Sequence, residues 1–418
     1  MLRRFAVVAA ALVFVPSAFA WTTLGGSVLP QAIPSLIVTP SGTELASWDS
    51  PSAGTIAVVR NGGAPKTLVT GDASAGRTQL VQQPNGAIQL YFPNPNGVAR
   101  LTSTDDGGTW SGPVQTQSHT TGGVESAAVL PDGTPLFSQD GTGFVNVFRG
   151  LNGEQSKNVY TRCCGYHESL TVDSSGLAEI AFYSNADPDG ATVYEPLGPD
   201  LSPASSTPLK PVAEHEAPLV ADHDGNMFLA WAPGYPTATS ISVVPFRAGS
   251  AAGDGVSFRG PFSGGDPHIA LAVDTQDRLW AIWTSGSAVH AARSRSHGAH
   301  FGAQVTVPMP ATAHGIAAVA LAGTPGSADV VINTGSSLIE QRLQPGLSVR
   351  VTKTTKKVGK VKIITRWAQA LDDGFPVPTA TFRIAGRTYH ANAAGKARVP
   401  SGSGKAAAPA YGGASFHA

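Results

Sequence analysis

Short apolar runs recur along this chain, and each ends in a polar turn closed by Gly or Asp. They read Ser35-Leu-Ile-Val-Thr-Pro-Ser-Gly42, Gln79-Leu-Val-Gln-Gln-Pro-Asn-Gly86, Ser126-Ala-Ala-Val-Leu-Pro-Asp-Gly133, Ser169-Leu-Thr-Val-Asp-Ser-Ser-Gly176, Ala217-Pro-Leu-Val-Ala-Asp-His-Asp-Gly225 and Ile269-Ala-Leu-Ala-Val-Asp-Thr-Gln-Asp277, with a weaker run from Ile316. A second apolar or aromatic run follows each turn, and no long stretch keeps a helical period. The pattern predicts strands joined by tight turns, and hence an all-β protein. The runs start 44, 47, 43, 48, 52 and 47 residues apart. That interval holds one four-stranded sheet per repeat, so the repeats predict a seven-bladed β-propeller, or six blades if the last repeat is not a true one. An open ring would leave an unpaired edge, and Leu24 to Leu29, just ahead of the first repeat, are expected to supply the closing strand.

Composition agrees with a turn-rich β protein: 48 Gly, 32 Pro and only 13% charged residues. The formal net charge of zero hides two unlike parts. Residues 347–418 carry 12 Lys/Arg and 2 Asp/Glu, a balance of +10, whereas residues 21–346 carry 14 basic and 26 acidic, a balance of −12. Residues 1–20 have the form of a secretory signal, with Arg3 and Arg4 before the apolar run Phe5 to Val15 and a small-x-small site at Ala18-Phe19-Ala20. The mature protein is therefore expected to start at Trp21 and to be exported, with no transmembrane segment. The predicted organisation is a signal at 1–20, a propeller at 21–346 and a basic module at 347–418.

Two turns add to the repeat. Ser103-Thr104-Asp105-Asp106-Gly107-Gly108-Thr109-Trp110 has the form Ser-x-Asp-x-Gly-x-Thr-Trp, and Ser294 to Phe301 is a degenerate copy with Ser296 in the Asp position. Asp105 can accept hydrogen bonds from its own turn, Gly107 and Gly108 supply positive φ, and Trp110 folds back between strands. This motif resembles the Asp-box (BNR repeat) of the sialidase-like β-propeller superfamily, in which it is a structural staple between the third and fourth strands of a blade. Asp373 to Phe382, Gly386-Arg387-Thr388 and Ala394 to Ala397 are similar to the small C-terminal β-sandwiches of secreted bacterial proteins, immunoglobulin-like or carboxypeptidase-regulatory-like.

Candidate chemistry follows from the blade geometry. The residues just before each inner strand are Ile33-Pro34, Arg77-Thr78, Val124-Glu125, His167-Glu168, His215-Glu216, Pro267-His268 and His314-Gly315. Arg77, Glu125, His167, Glu168, His215, Glu216, His268 and His314 should thus converge on the mouth of the axial channel. Such a ring could hydrogen-bond a glycan, do acid/base work on a sugar or hold a metal. No His-x-x-x-His spacing preorganises a metal pair, and no cofactor is expected. Aromatics at the ends of second strands, namely Trp48, Phe92, Phe137, Tyr183, Trp231 and Trp283, read as inter-blade packing, and Arg100 and Arg293 as surface or blade-edge charges.

The chain has only Cys163 and Cys164. In an exported protein they are expected to form a vicinal disulfide stiffening the loop before His167, with a thiol metal site including His167 as the alternative. Paired cysteines ahead of an inner strand resemble other secreted sialidase-like propellers.

Ala32-Ile33-Pro34 resembles the sialidase opening Arg-Ile-Pro, but with alanine in place of the arginine. The family's substrate clamp needs three arginines, and alanine cannot make a bidentate carboxylate contact. The resemblance therefore implies the architecture without the catalytic set. The expected function is binding of a glycan or cell-surface polymer at the channel mouth by a monomer, with no nucleic acid partner. The alternative is a glycan-active enzyme, either a sialidase-like glycoside hydrolase or a polysaccharide lyase, using the His/Glu ring.

Overall fold

Among the described residues, seven antiparallel sheets follow one another along Trp21–Pro345, six of them built from consecutive strands. The computed structural model describes residues 21–418 except 27, 29–31, 51–53, 75, 120–122, 142–143, 162–164, 187–189, 205–206, 210–215, 235–237, 248–249, 252–254, 260–261, 263–266, 299, 303, 311–312, 314, 325, 345, 373–374, 409–410 and 412. The proposed signal at 1–20, Cys163, Cys164, His215 and His314 lie outside the described residues.

The inner strands of blades 1 to 7 are Ser35–Val38, Gln79–Gln82, Val124–Val129, Gly165–Val172, Leu219–Ala221, Ile269–Val273 and Ala318–Thr324. Each packs beside the next, and the seventh packs beside the first, so the sheets close into a ring. This is a β-propeller. Blade 7 is completed from the other end of the propeller sequence, because Thr22–Gly26 pairs with Ser337–Leu343. The closing strand thus starts two residues before the expected Leu24. A register shift between Thr23 and Gly25 lets the strand bend where the Trp48 indole lies against Gly25.

Alternation explains the packing. Each middle strand is buried on both faces, as in Ile88–Asn94 and Ala178–Ser184, so its side chains enter two interfaces, one with each neighbouring blade. Tyr91, Phe137 and Phe148 join blades 2 and 3, and Leu24, Trp48, Ala320 and Val331 join blades 7 and 1. All six second-strand aromatics are buried, from Phe92 and Phe137 at 0% exposure to Trp231 at 9%. Arg293 departs from expectation: it is 7% exposed and its guanidinium lies 5.6 Å from the Trp280 ring centroid. Its strand position points inward, and the planar cation is accommodated by stacking on an aromatic face.

The turn at 103–110 joins Gly97–Ser103 to Ser111–Gln115, the third and fourth strands of blade 2. Asp105 Oδ1 accepts from Thr109 N at 2.8 Å, Oδ2 accepts from the Thr109 hydroxyl at 2.8 Å, and Ser103 Oγ accepts from Gly107 N at 2.9 Å. The backbone and side-chain bonds from Thr109, with that from Ser103, hold the Asp105 carboxyl down at about 2. Gly107 has φ 78°, and a Cβ there would come 2.6 Å from Leu45 of blade 1. The turn therefore also seats its blade against the neighbour.

Charge is buried at the seam between blades 7 and 1. Arg342 forks onto Asp329 at 2.6 and 2.8 Å and lies 3.7 Å from Glu44, while Glu44, Asp329 and Glu340 gather within 4.8 Å. Three carboxylates share one cation, so a proton is retained. Burial, then a hydrogen bond to Glu340 and the charge of Asp329, push Glu44 up to about 9. The folded state therefore keeps a proton that the unfolded chain releases above the ordinary 4.5, and stability must fall as pH rises from there towards about 9. Glu44→Gln is expected to flatten that slope and to raise the unfolding midpoint at pH 8 by a few degrees. Thermal unfolding across pH checks this, and an unchanged slope would overturn it.

From Gly346 the chain forms a separate compact unit. Its strands make two four-stranded sheets sharing one core, in which Phe382 and Phe416 meet edge to face at 5.6 Å.

Candidate functional site at the channel mouth

Blades 2, 3 and 4 contribute one connected network. Arg77, two residues ahead of the blade 2 inner strand, pairs through Nε with Glu125 Oε2 at 2.9 Å, and both side chains are at most 13% exposed. Its Nη2 meets His167 Nδ1. A guanidinium only donates, so Nδ1 accepts and the ring carries its proton on Nε2. Glu125 and His167 both sit where the ladder shifts register, between Val124 and Ser126 and between Tyr166 and Ser169. A bulge turns a side chain off the alternating pattern while the strand continues, and here it serves to bring both groups to Arg77. His167 adopts φ 55°, a conformation that costs a non-glycine residue free energy. Gly123 packs close below, since a Cβ there would lie 3.0 Å from Glu125 Oε1 and 3.4 Å from Arg77 N.

Blades 5, 6 and 7 contribute a second network. Glu216 Oε1 meets His268 Nδ1 at 2.6 Å and Oε2 accepts from the Ile269 amide. Burial would raise the Glu216 carboxyl, but the charge and hydrogen bond of His268, together with the Ile269 amide, hold it below its usual 4.5. Burial would likewise lower the His268 imidazole. The charge and hydrogen bond of Glu216, and a bond to the Ile316 backbone, raise it above 6.5, with the charge of Arg77 opposing. Glu216 contributes stability above 4.5 that is lost as pH falls through its lowered value, and His268 contributes stability below 6.5 that is lost as pH rises through its raised value. Both contributions are complete between 4.5 and 6.5. The Arg77 charge acts on His268, which places the two networks within reach of each other.

Five predicted residues from five blades, Arg77, Glu125, His167, Glu216 and His268, are therefore brought together. Glu168 sits beside them at 2% exposure. Among the described residues the ring donors form no trio of metal-ligand type; the trio that does gather is Glu44, Asp329 and Glu340.

Two features escaped the sequence reading. The first residues of the repeats bond across blades: Ser35 Oγ accepts from Leu80 N, Ser126 Oγ from Leu170 N and Ser169 Oγ from Leu219 N, each at 2.9 Å, and Gln79 Nε2 donates to Glu125 O at 2.8 Å. The signal was the recurring polar residue at the start of the first four apolar runs, Ser35, Gln79, Ser126 and Ser169. The second is Asp49, immediately after Trp48. It is 2% exposed, its Oδ2 accepts from Gly76 N at 3.3 Å, Oδ1 has no hydrogen-bond partner among the described residues, and burial raises it to about 6. Gly76 precedes Arg77, so Asp49 lies at the same end of the propeller as the ring.

Neither the family models nor the curated proteins include a match to this chain. Solved structures similar to it include a catalytically inactive virginiamycin B lyase from Staphylococcus aureus with quinupristin, at TM-score 0.53 and 12% identity over 77% of this chain and 99% of that one. A streptogramin B lyase aligns at TM-score 0.52 and 13% identity over 78% of this chain and 98% of that one. Penicillium chrysogenum α-L-arabinanase with arabinobiose aligns at 0.44 and 12%, over 78% and 98%. The likeness is one of fold. At this identity a shared propeller says nothing of which chemistry its loops perform.

Proposed function

We propose that this protein is exported and binds a glycan or cell-surface polymer at the mouth of its axial channel, without turning it over. The observation that carries the reading is the engagement of Arg77. The one arginine of the ring is spent on Glu125 and His167, so it is not presented as a clamp for a substrate carboxylate. Glu216 has both oxygens bonded and its pairing with His268 favours the charged form of each, which suits a fixed polar surface better than a group that must gain and lose protons. Export rests on the signal-like residues 1–20, and an acidic propeller argues against a nucleic acid partner.

Asp49 favours a second reading. A buried carboxyl near 6 with one oxygen unpartnered among the described residues is suited to general acid catalysis, and it would make the protein a glycan-active hydrolase or lyase. A glycan array run beside a reducing-sugar release assay separates the two. Binding without release is expected, tightest between pH 4.5 and 6.5 where the Glu216–His268 pair is complete, and weakened roughly tenfold or more in Glu216→Gln. Sugar release that disappears in Asp49→Asn would replace binding with catalysis.

A further inference from the structure

The C-terminal unit carries a ribbon whose distal half its own core does not use. Ser348–Val358 and Val361–Asp372 pair along their whole length, from Ser348 opposite Leu371 to Val358 opposite Val361. Other described strands join only at its base, where Lys396–Val399 pairs with residues 366–369 and Phe375–Pro376 with Leu371 and Asp372. Beyond Lys353 every residue of the first strand is exposed, as are residues 361–364 of the second. Six residues at ~3.4 Å each make an arm of about 20 Å.

Its chemistry is one-sided in charge. Residues 348–366 hold seven Lys/Arg and no Asp/Glu. Directly opposed residues share a face, so one face presents Lys357 with Lys362 and Lys353 with Arg366, two like-charged pairs. Such pairs repel, and nothing acidic within residues 348–366 offsets them. The other face ends in Val358 with Val361, next to Lys356 with Ile363. Val358, Val361 and Ile363 are 52, 62 and 44% exposed on this face, and Ile364, opposite Thr355 on the lysine face, is 42% exposed, so large apolar side chains gather near the ribbon's turn.

We infer that this ribbon is a docking arm for an anionic lipid surface. The headgroups neutralise the opposed lysines, and the apolar tip enters the boundary between headgroups and acyl chains, where an amphipathic element settles about 5–10 Å deep. A soluble polyanion would relieve the lysines but leave the four apolar side chains in water, so the tip decides for the membrane. No helix among the described residues is long and apolar enough to cross a bilayer, and the attachment is peripheral.

The test is co-sedimentation of the full chain with vesicles of phosphatidylglycerol and phosphatidylcholine, against phosphatidylcholine alone. The expected result is binding to the anionic vesicles only, weakening as salt is raised, and reduced about tenfold or more both by Val358→Asp with Val361→Asp and by Lys357→Gln with Lys362→Gln. Because these side chains are solvent-exposed, the thermal midpoint of each variant should match the parent, which separates lost docking from lost folding. Equal binding to neutral vesicles, or no binding to either, overturns the inference. So does a tip variant that binds as well as the parent, or preferential binding of polyphosphate or duplex DNA over vesicles, since the arm would then be reading charge alone.

Discussion

Phe137→Ala is expected to lower the stability of the propeller by about 3–5 kcal/mol, the range for removing a fully buried ring from a core that cannot collapse onto the space. Phe137 is 0% exposed and lies between Tyr91 of blade 2 and Phe148 of its own blade, with both centroid separations at 4.8 Å and interplanar angles of 28° and 7°. Truncation removes the middle ring of that stack, so the aromatic contacts go together with the buried area. The effect should be large in temperature also, a fall of roughly 10 °C in the unfolding midpoint. Phe137→Leu, which keeps much of the volume, should lose less than half as much. Calorimetry or denaturant unfolding of the pair measures this. A shift below about 1 kcal/mol for the alanine variant would mean that blades 2 and 3 are not held together by this cluster.

What the sequence made legible was whatever repeats within one blade. The near-continuous apolar runs of Ile88–Asn94 or Arg278–Ser285, the Gly-closed turns and the turn around Asp105 depend on neighbours a few residues away, and their regular recurrence records them directly. Convergence of Arg77, Glu125, His167, Glu216 and His268 was also readable, because equal spacing puts equivalent positions on one end of a ring. Their pairings were not. Whether Arg77 would face Glu125 or open solvent depends on bulges at Glu125 and His167, and a one-residue bulge leaves little trace in a chain of short strands. The cluster of Glu44 with Asp329 and Glu340 was invisible for a related reason. Glu44 is nearly 300 positions from the other two and meets them only because blade 7 closes against blade 1. Arg293 was misread because a strand position facing inward usually belongs to an apolar residue, and only the Trp280 face beside it makes a cation tolerable there.

Arg77→Ala should strike stability and binding together, and the comparison of its companions says why. Glu125 is only 9% exposed, so removing its cation leaves a buried carboxylate without its ion-pair partner, a change that typically costs about 3–5 kcal/mol. His167, held at φ 55° on its bulge, loses the donor that meets Nδ1 and with it part of what fixes the ring. Arg77→Lys is not a conservative replacement here. One ammonium cannot present Nε to Glu125 and Nη2 to His167 at once, so this variant should retain the ion pair and still bind ligand at least about tenfold more weakly. If the alanine penalty comes from the stranded charge, then Arg77→Ala with Glu125→Gln must recover a substantial part of the lost stability, while binding stays weak because the polar rim of blades 2 to 4 is gone. A double variant no more stable than the single one would place the cost in packing instead, and the networks at the mouth would then be ordinary blade contacts with no special claim on a ligand.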